Sequence, residues 1–152
     1  MAEQQTEHTE DTAHIATARV VAFADPEQCW RALTTPSLVA KYMFGTQLTC
    51  DWKVGSPISY RGVWDNEPYE DKGSVVEVDE PRLLVTTFFS PASGKKDAPE
   101  NYQTVRYEIR PIDGGCRIQV FQDNNESKES AEHSSDNWLT ILKGMADVAR
   151  SA

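Results

Sequence analysis

The stretch "GSVVEVDEPRLLVTTFF", residues 73–89, decides the fold because it predicts two neighbouring β-strands. The first strand is predicted over residues 74–78 and the second over residues 83–89, joined at Asp79-Glu80-Pro81. A strand with one face in water alternates apolar and polar side chains, but both of these strands are apolar on more than one face. We therefore expect another element to cover the inner face of the sheet, and the outer face to be available for packing against another subunit.

Two short helices are predicted after a first strand at residues 14–23. Asp25 is a typical helix N-cap, and Pro26 occupies the first helical position, where its missing N–H is harmless. This helix is expected to end near Thr34, and Pro36 opens a second short helix by the same rule.

Most of the chain from residue 46 to residue 122 is strand-like. The alternation is clearest where Val105, Tyr107 and Ile109 share one face of a strand. Besides the opening pair, strands are predicted over residues 46–52, 57–64, 103–111 and 116–122.

The connections between these strands are short, which predicts an antiparallel sheet. The two longest connections are residues 65–73, a polar loop, and residues 90–102, a mobile loop with prolines and glycine. Glu70 and Asp71 fall in the first of these loops, so we interpret them as solvated charges. A single sheet of seven such strands is expected to curl.

The last segment has the period of an amphipathic helix. Trp138, Ile141, Leu142 and Met145 follow one another at spacings of three and four. The helix is predicted to begin either near Ser127 or at the polar cluster 134–136, and Gly144 inside it indicates close packing or a bend. This helix is the one element long enough to cover the concave face of the sheet. A helix packed on one face of an antiparallel sheet is an α+β arrangement, so we predict an α+β fold.

The composition is typical of some classes of protein and disfavours others. The chain has 152 residues, of which 39% are hydrophobic and 26% charged, and its net charge is −9. This size suits one domain, predicted over residues 14–152 after a disordered acidic tail at residues 1–13. The negative charge disfavours binding to nucleic acid or to anionic membrane surfaces. Without a signal sequence or an apolar membrane span, the expected location is cytoplasmic and no membrane insertion is expected.

Metal, cofactor and catalytic motifs were sought and none was found. Cys29, Cys50 and Cys116 are widely spaced and odd in number, so we expect free thiols rather than a zinc site or disulfides. Neither His14 nor His133 has a partner at the spacing of a known catalytic motif. We expect no cofactor and no metal, and we find no positive case for an enzyme.

Three stretches resemble the START-like, or SRPBCC, superfamily, and within it the family similar to the C-terminal domain of the heat-shock-protein-90 ATPase activator. They are "FADPEQCWRALTTPSLVAKYMFG", the opening stretch, and "NWLTILKGM" near the C-terminus. The sequence departs from the family pattern at Phe88, which replaces a tryptophan, at Asn137, which replaces a glycine, and at Met145, which replaces a leucine. The likeness extends over about residues 14–149.

The resemblance implies a helix-grip fold, in which a curved antiparallel sheet of about seven strands surrounds a long C-terminal helix. Members of the superfamily bind lipids, polyketides or other hydrophobic small molecules, and a few are cyclases or dehydratases. The chaperone-activator branch instead uses the domain as a protein-binding surface. The resemblance thus implies the fold more firmly than the function.

Strand parity supplies candidate ligand-binding residues on the inner face. A buried tyrosine hydroxyl needs a partner, and Gln122 is expected nearby, so the lining combines aromatic and polar groups as small-molecule pockets do. For residues 74–78 the inward pair is either Val76 with Val78 or Val75 with Glu77, and the second choice would bring a carboxylate into the cavity. The candidate residues are Tyr60, Trp64, Glu77, Thr86, Phe88, Tyr107, Trp138 and Met145.

Three functional hypotheses remain open at this point. The leading one is a binding protein, monomeric or homodimeric, for a hydrophobic or amphipathic small molecule such as a lipid or polyketide. The alternative is an interaction module with a chaperone as its partner. A cyclase or dehydratase is the third, and it would need an acid–base pair inside the cavity.

Overall fold

Seven antiparallel strands form one sheet in the computed structural model, which describes residues 14–152. The strand order is β1-β7-β6-β5-β4-β3-β2, so the first strand of the chain lies beside the last. The α+β arrangement predicted from the sequence is confirmed, while the predicted tail at residues 1–13 lies outside the described residues. The strands are β1 Ala16–Ala22, β2 Gln47–Thr49, β3 Pro57–Trp64, β4 Glu67–Asp79, β5 Leu83–Phe88, β6 Gln103–Ile112 and β7 Gly115–Gln122.

Three helices accompany the sheet: α1 Pro26–Thr34, α2 Pro36–Tyr42 and α3 Lys128–Ala149. The N-terminus of α1 is a capping box, in which the Gln28 N–H donates to Asp25 Oδ1 at 2.8 Å and the Asp25 N–H donates to Gln28 Oε1 at 2.9 Å. Ser127 caps α3 by accepting the Ser130 N–H at 3.0 Å. The earlier of the two predicted starts of this helix is therefore correct.

The core lies between α3 and the inner face of the sheet. Leu142 and Met145 of α3 are buried there, in one apolar cluster with Ile109, Ile118 and Val120. Helix α3 also contacts α1, α2 and β1, so it is held on several sides. A curved antiparallel sheet wrapped around a long C-terminal helix is the helix-grip arrangement. No helix within residues 14–152 combines the length and the apolar composition needed to cross a bilayer.

Strand β4 is longer than predicted and begins seven residues earlier, at Glu67. Trp64 of β3 pairs directly with Glu67, so Asp65 and Asn66 alone form the turn between the two strands. Both turn residues have positive φ, 53° and 66°, as two-residue hairpin turns require, and Asp and Asn tolerate this backbone better than most residues. The predicted loop at residues 65–73 is therefore wrong beyond its first two residues.

Neither of the two inward pairs predicted for residues 74–78 is correct, because β4 contains a β-bulge there. Val75 pairs with Thr86, whereas Glu77 pairs with Val85, so Val76 is an extra residue and is 48% exposed. One extra residue reverses which side chains face inward. The inward residues are Val75 and Val78, and Glu77 lies on the outer, exposed face.

The apolar outer face of β5 is buried within the chain. Leu83 and Val85 lie directly opposite Glu108 and Arg106 of β6, and these two side chains form an ion pair at 2.7 Å between Arg106 Nε and Glu108 Oε2. The aliphatic stems of such long side chains cover neighbouring apolar surface. Leu83 and Val85 thus have cover from their own chain, whereas Val76 is 48% exposed, and packing against a second subunit stays a prediction.

Gly144 marks close packing, one of the two alternatives that the sequence allowed. A Cβ atom at this position would lie 2.7 Å from the Cβ atom of Tyr42 in α2. Tyr42 has little freedom to move away, because its hydroxyl donates to the Ala32 carbonyl oxygen at 2.7 Å. Helices α2 and α3 can therefore approach closely only because residue 144 has no side chain.

We predict that Gly144→Ala lowers the free energy of unfolding. Overpacking typically costs about 1–3 kcal/mol, which outweighs the gain of roughly 1 kcal/mol in helix propensity. Urea denaturation measures the difference. Lys143→Ala, on the exposed side of the same helix, is the control and should change stability by no more than about 0.5 kcal/mol. A Gly144→Ala protein as stable as the wild type would contradict the packing argument.

Candidate ligand-binding cavity

A cavity of about 600 Å³ lies between α3 and the inner face of the sheet. Small-molecule pockets typically enclose about 300–1,000 Å³, whereas voids in a packed core rarely exceed a water molecule. Strands β3 to β7 and helix α3 all contribute to its walls. The lining includes Phe44, Tyr60, Trp64, Glu67, Asp71, Thr86, Phe88, Ser90, Val105, Tyr107, Gln122, Ser134 and Trp138.

Six of the eight predicted site residues line this cavity: Tyr60, Trp64, Thr86, Phe88, Tyr107 and Trp138. The other two do not. Met145 is fully buried deeper along α3, beside a narrow space of about 20 Å³. Glu77 lies on the outer face of the sheet because of the bulge in β4, so the carboxylate that the sequence offered as a site candidate does not reach the cavity.

The inner end of the cavity is aromatic and carries two phenol hydroxyls. The ring centroids of Tyr107 and Trp138 lie 5.8 Å apart, edge to face, and those of Tyr60 and Phe88 lie 6.0 Å apart. Burial raises the pKa of Tyr60 and of Tyr107 above the ordinary value, so both hydroxyls are protonated near neutral pH. The two hydroxyls interact with each other, and together they offer a ligand hydrogen-bonding groups in an otherwise apolar space.

Gln122 lines the cavity as expected, but its amide is engaged by the protein. Trp138 Nε1 donates to Gln122 Oε1 at 2.9 Å, and Gln122 Nε2 donates to Gln103 Oε1 at 2.9 Å. Both ends of the amide are thus used in fixing the Trp138 indole against the sheet. Its role is to position the aromatic wall.

The opposite end of the cavity opens to solvent between apolar side chains. Phe44 and Trp64 are 74% and 67% exposed, and their ring centroids lie 6.2 Å apart. Val63 is exposed beside them. An apolar rim of this kind favours the entry of a molecule with an apolar body.

Asp71 is the site residue that the sequence reasoning missed. It lies on β4 directly opposite Tyr60 of β3, half-buried in the cavity wall. Desolvation raises the pKa of its carboxyl, and a hydrogen bond from Ser90 offsets part of that effect. The interpretation as a solvated loop charge is wrong because the hairpin turn ends at Asn66. Alternation traced back from Val75 would have placed this residue on the inner face.

None of the three described cysteines lines the cavity. All three are free thiols: Cys29 and Cys116 are buried in the core, and Cys50 is half-buried. Burial, with a smaller contribution from Cys116, raises the pKa of Cys29 to about 12. Within residues 14–152, no group of three histidine, cysteine or acidic side chains is arranged to hold a metal ion.

A long C-terminal helix gripped by a curved seven-stranded antiparallel sheet, with a cavity between them, defines a START-like, or SRPBCC, domain. The sequence profile of the family "Activator of Hsp90 ATPase homolog 1-like protein" matches residues 24–150. The chain belongs to this family, which confirms the resemblance noted in its sequence. Comparison with curated proteins gives no match.

Solved structures agree with this assignment. The solution structure of ChR145 from Cytophaga hutchinsonii is 39% identical, covers 90% of this chain and 94% of its own, and superposes with a TM-score of 0.78. NE0264 from Nitrosomonas europaea is 16% identical, covers 93% of this chain and 97% of its own, and gives 0.73. CalU16 from Micromonospora echinospora is 14% identical, covers 86% and 73%, and gives 0.67. The last two are similar in fold alone.

We predict that Asp71→Asn stabilises the protein near neutral pH. A carboxyl whose pKa is raised by folding binds its proton more tightly in the folded state. Stability therefore falls as pH rises from the unfolded pKa, about 3.9, through the raised folded pKa. The groups facing this carboxyl are Tyr60 and Ser90, and neither changes charge over that range. The variant should have the higher midpoint of urea denaturation at neutral pH, with the difference shrinking towards pH of about 3.5.

Glu70→Gln is the matched control for this prediction. Glu70 precedes Asp71 on the same strand, but it is exposed on the other face, where it accepts a hydrogen bond from Ser59 at 3.0 Å. As a substitution of an exposed residue, it should change stability at neutral pH by no more than about 0.5 kcal/mol. Equal behaviour of the two variants would contradict the placement of Asp71 in a desolvated wall.

Proposed function

We propose that the chain is a binding protein for a hydrophobic or amphipathic small molecule, taken up between α3 and the sheet. The observation that carries the proposal is the cavity of about 600 Å³, with aromatic walls and the inward hydroxyls of Tyr60 and Tyr107. An apolar pocket with a few convergent polar groups is the usual form of a small-molecule site. Family membership and the helix-grip fold support the proposal, since this fold often binds ligands.

The described lining favours binding over catalysis. It contains no histidine and no cysteine, so a nucleophile activated by an adjacent imidazole is not among its groups. The aromatic rings at both ends suit the retention of an apolar body. We therefore propose a carrier or sensor role ahead of a cyclase or dehydratase, whose acid–base pair would have to come from Asp71, Glu67 and the tyrosines of this lining.

We predict that Ser134→Phe weakens ligand binding by about tenfold or more, which is the loss that follows when about 1.4 kcal/mol of binding free energy is removed. Ser134 lies on α3 at the cavity wall, so a phenyl group there would occupy ligand space. Tryptophan fluorescence, reporting through Trp138 and Trp64, would be titrated with a sterol, a fatty alcohol and a polycyclic phenol. Saturable binding of at least one probe to the wild type is expected.

His133→Phe provides the control, because His133 is the preceding residue and is exposed. It adds the same ring outside the cavity and should leave affinity unchanged. If no probe saturates the wild-type protein, or if both variants bind as the wild type does, the proposed function is wrong.

The family description supplies a second candidate, a module that binds a chaperone. The specific feature that favours it is the exposed apolar rim formed by Phe44, Val63 and Trp64, since exposed apolar patches mark interaction surfaces. A purified Hsp90-type chaperone would be mixed with the protein and its ATPase rate measured. Stimulation that is lost in Trp64→Ser would support this candidate, and an unchanged rate would exclude it.

A further inference from the structure

All of the charged side chains that line the cavity are negative. Asp71 in the wall and Glu67 at the rim are its two ionisable carboxylates, and no lysine, arginine or histidine is among its residues. Arg61 and Lys72, which neighbour this region in sequence, do not line the cavity. Sites for fatty acids and other anions present cations or several N–H donors to the ligand, and this cavity presents the reverse.

Neither carboxylate has a cationic partner within the part of the chain that the structure describes. The ion pairs there join other residues, such as Lys72 with Asp97 and Lys95 with Glu126. Asp71 therefore faces the cavity with Ser90 and Tyr60 as its polar neighbours, and a half-buried carboxylate in this setting is stabilised by any cation that comes close.

Aromatic faces and a phenol hydroxyl complete the site. Tyr60, Phe88, Tyr107 and Trp138 surround the same space, and rings of this kind attract ammonium groups through their negative faces. Tyr107 is 8% exposed, and its hydroxyl lies near that of Tyr60 in the cavity wall. A ligand group near Asp71 would thus find a carboxylate, a phenol and aromatic faces together.

We propose that this cavity selects a cationic amphipathic molecule, an amine carried on an aromatic or aliphatic body, with its ammonium group against Asp71. The inference rests on the proposed small-molecule binding function and names the chemical class of the ligand. The apolar body lies along the aromatic wall towards Trp138. Carboxylates of the same shape, including fatty acids, are disfavoured because they would meet Asp71 and Glu67 without any compensating cation.

The test uses three probes that share one skeleton and differ in charge: naphthylmethylamine, naphthylmethanol and naphthoic acid. Each would be titrated by calorimetry into the full chain near neutral pH and at physiological ionic strength. We expect the amine to bind about tenfold more tightly than the alcohol, and the acid more weakly than both, as an attraction at about 4 Å in a partly screened site would give. This ranking is measured on the wild-type protein and needs no variant.

Asp71→Asn then assigns the selectivity to one residue. The amide keeps the shape of the side chain and removes its charge, so the amine should lose its advantage of about tenfold over the alcohol. Glu70→Gln makes the same change in net charge on the outer face, and it should preserve the full advantage. Glu67→Gln at the exposed rim should reduce it by about twofold, as exposed charges contribute little.

The outcomes separate the inference from the proposed function. Binding of the alcohol and acid as tight as that of the amine overturns the inference and leaves small-molecule binding intact. An amine preference that survives in Asp71→Asn overturns the assignment to Asp71. If none of the three probes binds saturably, and neither do the sterol, the fatty alcohol and the phenol, the proposed function itself is wrong.

Discussion

The structure depends on how α3 is seated in the sheet. Its C-terminal half packs into the core along one face, with Leu142, Met145, Ala146 and Ala149 buried and Gly144 against Tyr42. In its N-terminal half Ala131 is buried, and Trp138 is partly exposed at the wall of the cavity. The helix is thus packed into the core towards its C-terminal end, and around Ser134 and Trp138 it forms one wall of the cavity. The same position of α3 therefore gives both the packed core near its C-terminal end and the cavity beside Trp138.

A network of amides holds the cavity-lining part of α3 in position. Trp138 donates to Gln122, Gln122 donates to Gln103, and Asn125 donates to the His14 carbonyl oxygen at 2.7 Å and to that of Gln122 at 2.9 Å. These bonds join α3 to β6 and β7 and tie the chain before β1 to the same corner. Buried polar groups satisfied in this way define one geometry, because each has few alternative partners. The cavity therefore has a preformed wall.

The regular parts of this arrangement could be predicted from the sequence, and the irregular parts could not. Alternation placed Tyr60, Thr86 and Tyr107 on one face, and the spacing of Trp138 identified the covering helix. The alternation of inward and outward side chains shifts wherever a single residue is inserted. The bulge at Val76 therefore puts Glu77 on the outer face, where simple alternation from Val75 would put it inside. The turn at Asp65-Asn66 had a recognisable composition, but the surrounding polar residues concealed the strand that follows it. The loss of one candidate carboxylate and the gain of another, Asp71, follow from these two local irregularities.

The position of Asp71 bears on whether the space between helix and sheet is a functional cavity or an imperfectly packed core. A half-buried carboxylate with no cation beside it among residues 14–152 opposes folding, and an apolar side chain at the same place would extend the aromatic wall at no such cost. A ligand that brings a complementary group to Asp71 removes this penalty in the folded state only, so its binding and the stability of the fold are linked. A carboxylate that is unfavourable for the isolated chain is expected of the binding site proposed above and not of a filled core.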